Sequence, residues 1–148
     1  MSFQIDCDAV PELAGASKRG LRALNAQDAP HVSKGQGTRL TTSVDIDTAL
    51  TASQPNAARW DYGVGQRKGG QETVHWIEVH PASGGNSVAE MQRKLLWLRA
   101  WLHGKPLAAY QRQVVWVASG KCAFNARDPK LRALSQLGLR FVGSRYVI

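Results

Sequence analysis

The sequence is short of several things at once, and each shortage removes a class of protein. It has two cysteines, Cys7 and Cys122, too few for a disulfide scaffold and too far apart for a CxxC metal half-site. Cys122, in Ser119-Gly120-Lys121-Cys122, has no nucleophile-elbow context and is expected to fill space. No apolar run approaches the ~18–20 residues that a membrane-spanning helix needs. The four histidines show no HExxH spacing, which argues against a zinc hydrolase. No G-x-x-x-x-G-K-[ST] loop is present, and Gly63-Val64-Gly65 lacks the third glycine of a dinucleotide fingerprint. Residues Met1 to Asp8 have neither the basic head nor the apolar stretch of a secretory signal. A cytoplasmic protein with no membrane partner is the expectation.

Acidic residues are scarce too: 11 Asp and Glu against 19 Lys and Arg, for a net charge of +8. The imbalance is not spread evenly. Residues 1–58 hold 5 basic and 6 acidic side chains, whereas residues 59–148 hold 14 and 5. A field of that sign favours polyanions, nucleic acid first; the plainer reading is a surface that keeps the chain in solution.

The 148 residues, 43% apolar and 20% charged, suit one globular domain, 1–148, with residues 1–10 as a flexible extension. Pro11 to Asn25 reads as a helix anchored by Leu13, Leu21 and Leu24, weakened by Gly15 and Gly20. Ala26 to Gly37 is loop-like. Thr41 to Asp47 alternates polar and apolar, as a half-buried strand does, and places Asp45 and Asp47 on one face. Arg59 to Gly65 and Glu72 to His80 are two further strand-like runs, with Gly69-Gly70 suited to a tight hairpin turn between them.

That hairpin register sets Asp61 opposite Glu78. Alternation then puts Asp61, Glu78 and His80 on one face, with Trp60, Tyr62, Val64, Ile77 and Val79 on the other. A slip of one residue would separate the carboxylates. Trp76 falls on the acidic face, where core packing is expected and base stacking is the alternative. Trp97, Trp101 and Trp116 read as core.

Ser87-Val88-Ala89-Glu90 has the S-x-x-E form of a capping box, which predicts a helix from Val88 through Met91, Leu95, Leu98 and Leu102. Gln113 to Ala118 reads as a strand covered on both faces. Asp128 and Pro129 open a short helix that Gly138 stops, and Leu139 to Ile148 reads as a last strand. A hairpin, a helical crossover and a following strand imply an α/β (α+β) fold: a central mixed sheet of four to five strands flanked by helices.

Two facing carboxylates repel unless a cation sits between them. Mg²⁺ accepts a few hard carboxylate oxygens and keeps waters, one of which can attack phosphorus. Asp61 and Glu78, assisted by Asp45 or Asp47, are the candidate metal ligands. His80, two residues beyond Glu78, is placed to bind metal, hold a phosphate or move a proton. Each residue has a plainer role as well. Asp61 pairs with Arg59 or Arg67, Glu78 answers a buried arginine, His80 closes a strand, Glu90 completes the cap, and Lys94 pairs with Glu90 on the surface.

The element order and the acid spacing resemble the PD-(D/E)xK nuclease-like superfamily over roughly residues 11–119. That superfamily has an α-β-β-β-α-β core, with an Asp at the second core strand and acid-x-Lys on the third. Asp61 matches the first acid and Glu78, 17 residues later, the second; His80 stands where the motif has Lys. The resemblance implies a restriction-endonuclease-like core, Mg²⁺ as cofactor and hydrolysis of DNA or RNA phosphodiesters. The missing cation would come from the following helix, from Gln92 or Lys94. The catalytic set is then Asp61, Glu78, His80 and Lys94, the metal set Asp61, Glu78 and Asp47. Arg67, Lys68 and Arg99 would hold the nucleic-acid backbone, with Arg67-Lys68-Gly69-Gly70 as a phosphate-touching loop. The alternative is a non-catalytic relative that binds nucleic acid or a protein partner, or pairs with a second copy of itself.

Overall fold

In a computed structural model of the chain, which describes residues 1–125 and 127–148, the hairpin is the organising element. β4 (Tyr62–Lys68) and β5 (Gln71–Pro81) are antiparallel and pair Tyr62 with Ile77 and Lys68 with Gln71, the expected register. Gly69 makes the turn at φ +57°, a conformation that costs glycine nothing. On one side β3 (Arg39–Asp45) adds antiparallel to β4, and β1 (Lys18–Arg19) adds to β3. On the other, α3 (Gly85–Leu102) crosses over to β6 (Gln111–Ser119), which runs parallel to β5; β7 (Arg140–Phe141) follows, parallel to β6. The sheet therefore has six strands in the order β1-β3-β4-β5-β6-β7. A second, two-stranded sheet joins β2 (Val32–Ser33) to β8 (Tyr146–Val147). α1 (Phe3–Asp8), α2 (Ile46–Leu50) and α4 (Pro129–Gln136) complete a single mixed α/β domain.

Period-two alternation along β5 divides the core in two. Val74 and Trp76 face α3 and pack with Met91, Leu95, Leu98 and Trp101. Ile77 and Val79 face the other way, with Tyr62, Val64, Val115 and Val117. Position 63 must be glycine: a Cβ there would lie 2.6 Å from Cζ3 of Trp76 and 3.1 Å from Cζ of Phe3. The Gly-Val-Gly of β4 thus makes room for two aromatic rings.

Several local expectations give way. Residues 1–10 are not a free extension: Ser2 caps α1, and Phe3 and Cys7 are fully buried, because the Phe3 ring meets Trp76 and Tyr110 edge-on at 5.9 Å. Residues 11–25 form no long helix. A short 3-10 turn (Pro11–Leu13) ends before Gly15 at φ +76°, and Gly20 at φ +58° ends β1; left-handed glycines interrupt a helix. β3 stops at Asp45, whose carboxylate accepts from Thr48 N–H at 2.9 Å and caps α2. Asp45 and Asp47 therefore share no strand face. Trp60 lies before β4 begins, escapes its alternation and packs on the α3 side. The last strand is broken into β7 and β8, with Gly143 at φ +79° between them.

On the face away from α3, His75 is 5% exposed. Its Nδ1 lies 2.7 Å from the Tyr146 hydroxyl and its Nε2 2.8 Å from Oε1 of Gln66. The Gln66 oxygen can only accept, so Nε2 carries the proton and Nδ1 accepts from the tyrosine. Burial, then the charges of Arg140 and Lys68, lower its pKa to about 4. The unfolded chain, with a His pKa near 6.5, takes up this proton first as pH falls. The stability that His75 contributes is therefore complete above pH ~6.5 and is lost towards pH 4, by about 2 kcal/mol after allowing for solvent screening. Imidazole NMR of the folded protein should titrate near 4. The stability difference between wild type and His75→Gln should shift in that window; a midpoint near 6.5 would contradict the burial.

Candidate active site

Where β4 begins and β5 nears its end, the two strands lock their acids together by reciprocal bonds. Asp61 N–H donates to Oε1 of Glu78 at 3.0 Å, and Val79 N–H donates to Oδ2 of Asp61 at 3.0 Å. Both carboxylates are thus fixed by backbone of the opposite strand. Glu78 is 1% exposed, on the face that α3 covers.

α3 supplies the rest. It starts at Gly85, three residues earlier than the capping box predicts, and Gly84 is its N-cap. Ser87 sits inside the first turn, where its hydroxyl accepts from Ser83 N–H at 3.1 Å. Glu90, released from any capping role, reaches Nε2 of His80 at 2.7 Å. One turn on, Nζ of Lys94 lies 2.8 Å from Oε2 of Glu78 and donates to the Arg59 carbonyl at 3.1 Å. The result is a connected row: Asp61, Glu78, Lys94, with His80 and Glu90 beside it. Nδ1 of His80 is 3.8 Å from Oε2 of Glu78. Trp116 donates its indole N–H to the His80 carbonyl at 3.0 Å and steadies that end of β5.

The charges do not balance. Burial is the largest influence on both carboxyls: it raises Asp61 to about 7, against the lowering effect of Val79 N–H and Lys94. It raises Glu78 well above its usual range, and the charge of Asp61 adds to that. Burial is the largest influence on Lys94 and opposes its ammonium, but Glu78, Asp61 and Asp47 together outweigh it and hold the lysine pKa up. One ammonium serves buried Glu78 and half-buried Asp61, and a second cation would be stabilised there. His80 is held neutral at ordinary pH, by burial first and then by Lys94, with Glu90 pulling the other way. Since Glu90 accepts at Nε2, that nitrogen carries the proton, and Nδ1 presents its lone pair towards Glu78.

Of the sequence candidates, Asp61, Glu78, His80 and Lys94 come together. Asp47 does not join them: its Oδ1 takes Arg59 Nε at 2.9 Å, and among the described residues no three acids, histidines or cysteines gather in a metal-holding group. Gln92 is exposed on the outer face of α3. The three cations assigned to nucleic acid lie elsewhere. Arg67 pairs with Glu72 at 3.1 Å, Lys68 ends β4 at the hairpin tip, and Arg99 donates to the Leu137 carbonyl. Arg67 is six positions beyond Asp61 along the strand, roughly 20 Å at ~3.3 Å per residue.

Glu90 is the residue whose part the sequence reading misplaced, and Arg59 the one whose part it left open. A signal for the helix residues was present. Position 94 is three after Met91 and four before Leu98, which puts it on the buried stripe of α3, and Glu90 is one turn earlier. Compared with known proteins, the chain matches no family model, no curated protein and no solved structure. The functional reading therefore rests on this geometry.

Proposed function

We propose that the protein is a small nuclease-like domain that hydrolyses phosphodiesters of DNA or RNA with a divalent cation of the Mg²⁺ type. The observation that carries this is the charge deficit at Asp61 and Glu78: two backbone-locked carboxylates, Glu78 buried and Asp61 half-buried, have one lysine beside them, paired with Glu78. The donor set fits a hard cation that needs one or two carboxylates and keeps its waters. Oδ1 of Asp61 has no hydrogen-bond partner among the described residues, which leaves a hard oxygen ligand available. Two further features support the relationship to the PD-(D/E)xK superfamily. The strands β3, β4, β5 and β6 are adjacent and pair antiparallel, antiparallel and parallel, with α3 as the crossover. Lys94 on that helix stands beside the second acid, where the superfamily motif places a lysine on the strand itself.

When bound, the cation would polarise the phosphoryl group and acidify a water. Asp61 and Glu78 would hold it, and the Lys94 ammonium would offset negative charge gathering on the phosphate oxygens. The neutral His80, fixed by Glu90 at Nε2, offers Nδ1 to take a proton from water.

Thermal unfolding of wild type and Glu78→Gln, each with and without ~5 mM Mg²⁺ or Mn²⁺, tests this reading. A metal that binds only the folded state adds about 1.4 kcal/mol at ten times its dissociation constant, a few degrees for a chain of this size. The expected result is a rise in wild type alone, with metal-dependent cleavage of a DNA or RNA oligonucleotide that Glu78→Gln lacks. A rise that persists in the variant, or none in either, would sink it.

A second reading has its own support. Lys94 already neutralises Glu78, and Arg59 already takes Asp47, as in a fold kept for binding alone. Salt-sensitive oligonucleotide binding without metal and without cleavage would select it.

A further inference from the structure

At the other end of the sheet, two clefts share a wall made by Arg112, Gln113 and Arg140. One, of about 550 Å³, also takes in Lys68, His75 and Tyr146. The other, of about 290 Å³, reaches Arg99 on α3. Neither lining includes an aspartate or glutamate. Among the described residues, Lys68 and Arg140, which share the face of His75, form no ion pair. Cations drawn together without a counter-charge repel one another, and an anion between them relieves that repulsion.

The wall is a built one. β7 pairs with β6 only at Val115 and Trp116, so on that side Gln111 to Val114 is left uncovered by β7. Arg140 sits over the Tyr146 ring at 5.9 Å. The Tyr146 hydroxyl is tied to buried His75, and His75 to Gln66. The guanidinium is thereby oriented from beneath by a connected aromatic and imidazole support. His75 reports the local field: after burial, Arg140 and Lys68 are what lower its pKa to about 4.

We propose that this cleft is a phosphate-binding site, in which Arg140 and Lys68 hold the phosphate of a nucleotide-like ligand. Guanidinium forks match the spacing of phosphate oxygens, and the lysine adds a point charge. The site does not depend on the carboxylate reading. Thr73, in its lining, is five residues from Glu78 along β5, roughly 17 Å at ~3.4 Å per residue, and its side chain is on the opposite face. The phosphate can belong to a free mononucleotide or to a nucleic-acid backbone, which offer the same chemistry.

NMR of the Arg140 Nε–H and the His75 ring decides the matter. Inorganic phosphate, adenosine monophosphate and an eight-nucleotide single-stranded DNA are titrated in turn, with EDTA present so that divalent cations play no part. Wild type is compared with the double variant Lys68→Gln, Arg140→Gln, the latter followed at His75. Saturable shifts in wild type, at least tenfold weaker in the variant, are expected. Mononucleotide binding as tight as the oligomer identifies a small phosphoester ligand. Oligomer binding at least tenfold tighter, and falling steeply with salt, identifies a backbone phosphate. No saturable shift from any probe, or equal binding by the double variant, would overturn the proposal.

Discussion

Lys94→Met should lower stability by about 3 kcal/mol near neutral pH, and Glu78→Gln in the same chain should recover most of the loss. Met keeps the length and apolar character of the lysine stem, so the change removes charge and little packing. The Lys94 side chain is 20% exposed and that of Glu78 1%. Removing one partner of a buried pair leaves the other uncompensated, which costs about 3–5 kcal/mol; the part-exposed lysine argues for the lower end. Asp61 is close enough to raise the cost further. In the double variant no charge remains at position 78, and the oxygen of the introduced amide can still accept from Asp61 N–H. Chemical denaturation of the four chains in a double-mutant cycle reads the coupling directly. A coupling energy below about 0.5 kcal/mol would place the pair in solvent and remove the central contact of the candidate site.

Trp116→Ala should be at least as damaging, at about 3–5 kcal/mol, or roughly 10 °C in melting temperature. The Trp116 side chain is fully buried on β6. Its ring meets Phe141 edge-on at 4.9 Å and Phe124 at 5.9 Å. Truncation leaves a cavity between β6, β7 and the chain that follows β6. It also removes the indole donor from the His80 carbonyl, so the end of β5 that presents His80 to Glu90 loses a tether. Trp116→Phe, which keeps a ring and loses that donor, should fall between wild type and Trp116→Ala in thermal melts. Equal melting of Phe and Ala variants would show that the hydrogen bond, not the ring, carries the effect.

The hairpin was legible because its determinants are local. Gly69-Gly70 sets the turn, alternation sets the faces, and register follows from both, so Asp61 and Glu78 could be paired from residues alone. α4 was legible for the same reason: Asp128 accepts from Lys130 N–H at 2.9 Å and Pro129 opens the helix. Around residues 11–25 the apolar residues fit a helix, but Gly15 and Gly20 decided otherwise. Asp45 fits a strand by alternation, yet its carboxylate does more as a cap for α2, where it accepts from the N–H and the hydroxyl of Thr48. Ser87 and Glu90 fit a capping box, but α3 begins at Gly85, which puts Ser87 inside the first turn and leaves Glu90 free to meet His80.

What the sequence determined by itself is the set of short-range decisions: a basic second half, a tight hairpin, two acids on opposite strands, an amphipathic helix after them, and a covered strand beyond. These depend on neighbours a few residues apart, where turn geometry and period leave little choice. What only the tertiary structure decided is which charges meet. Lys94 meets Glu78 and Glu90 meets His80 because α3 lies across β5 at one particular rotation. Arg59 meets Asp47 because β3 ends where α2 must be capped. Arg67 and Lys68 stay away from Asp61 and Glu78 because a strand cannot bend back over its own length, and Arg99 because it lies more than a turn beyond Lys94 on α3 and reaches the Leu137 carbonyl. The physical reason is that long charged side chains carry no periodic signal of their own. Their partners are set by the packing of apolar residues beneath them, which here puts one lysine against buried Glu78, with half-buried Asp61 beside it.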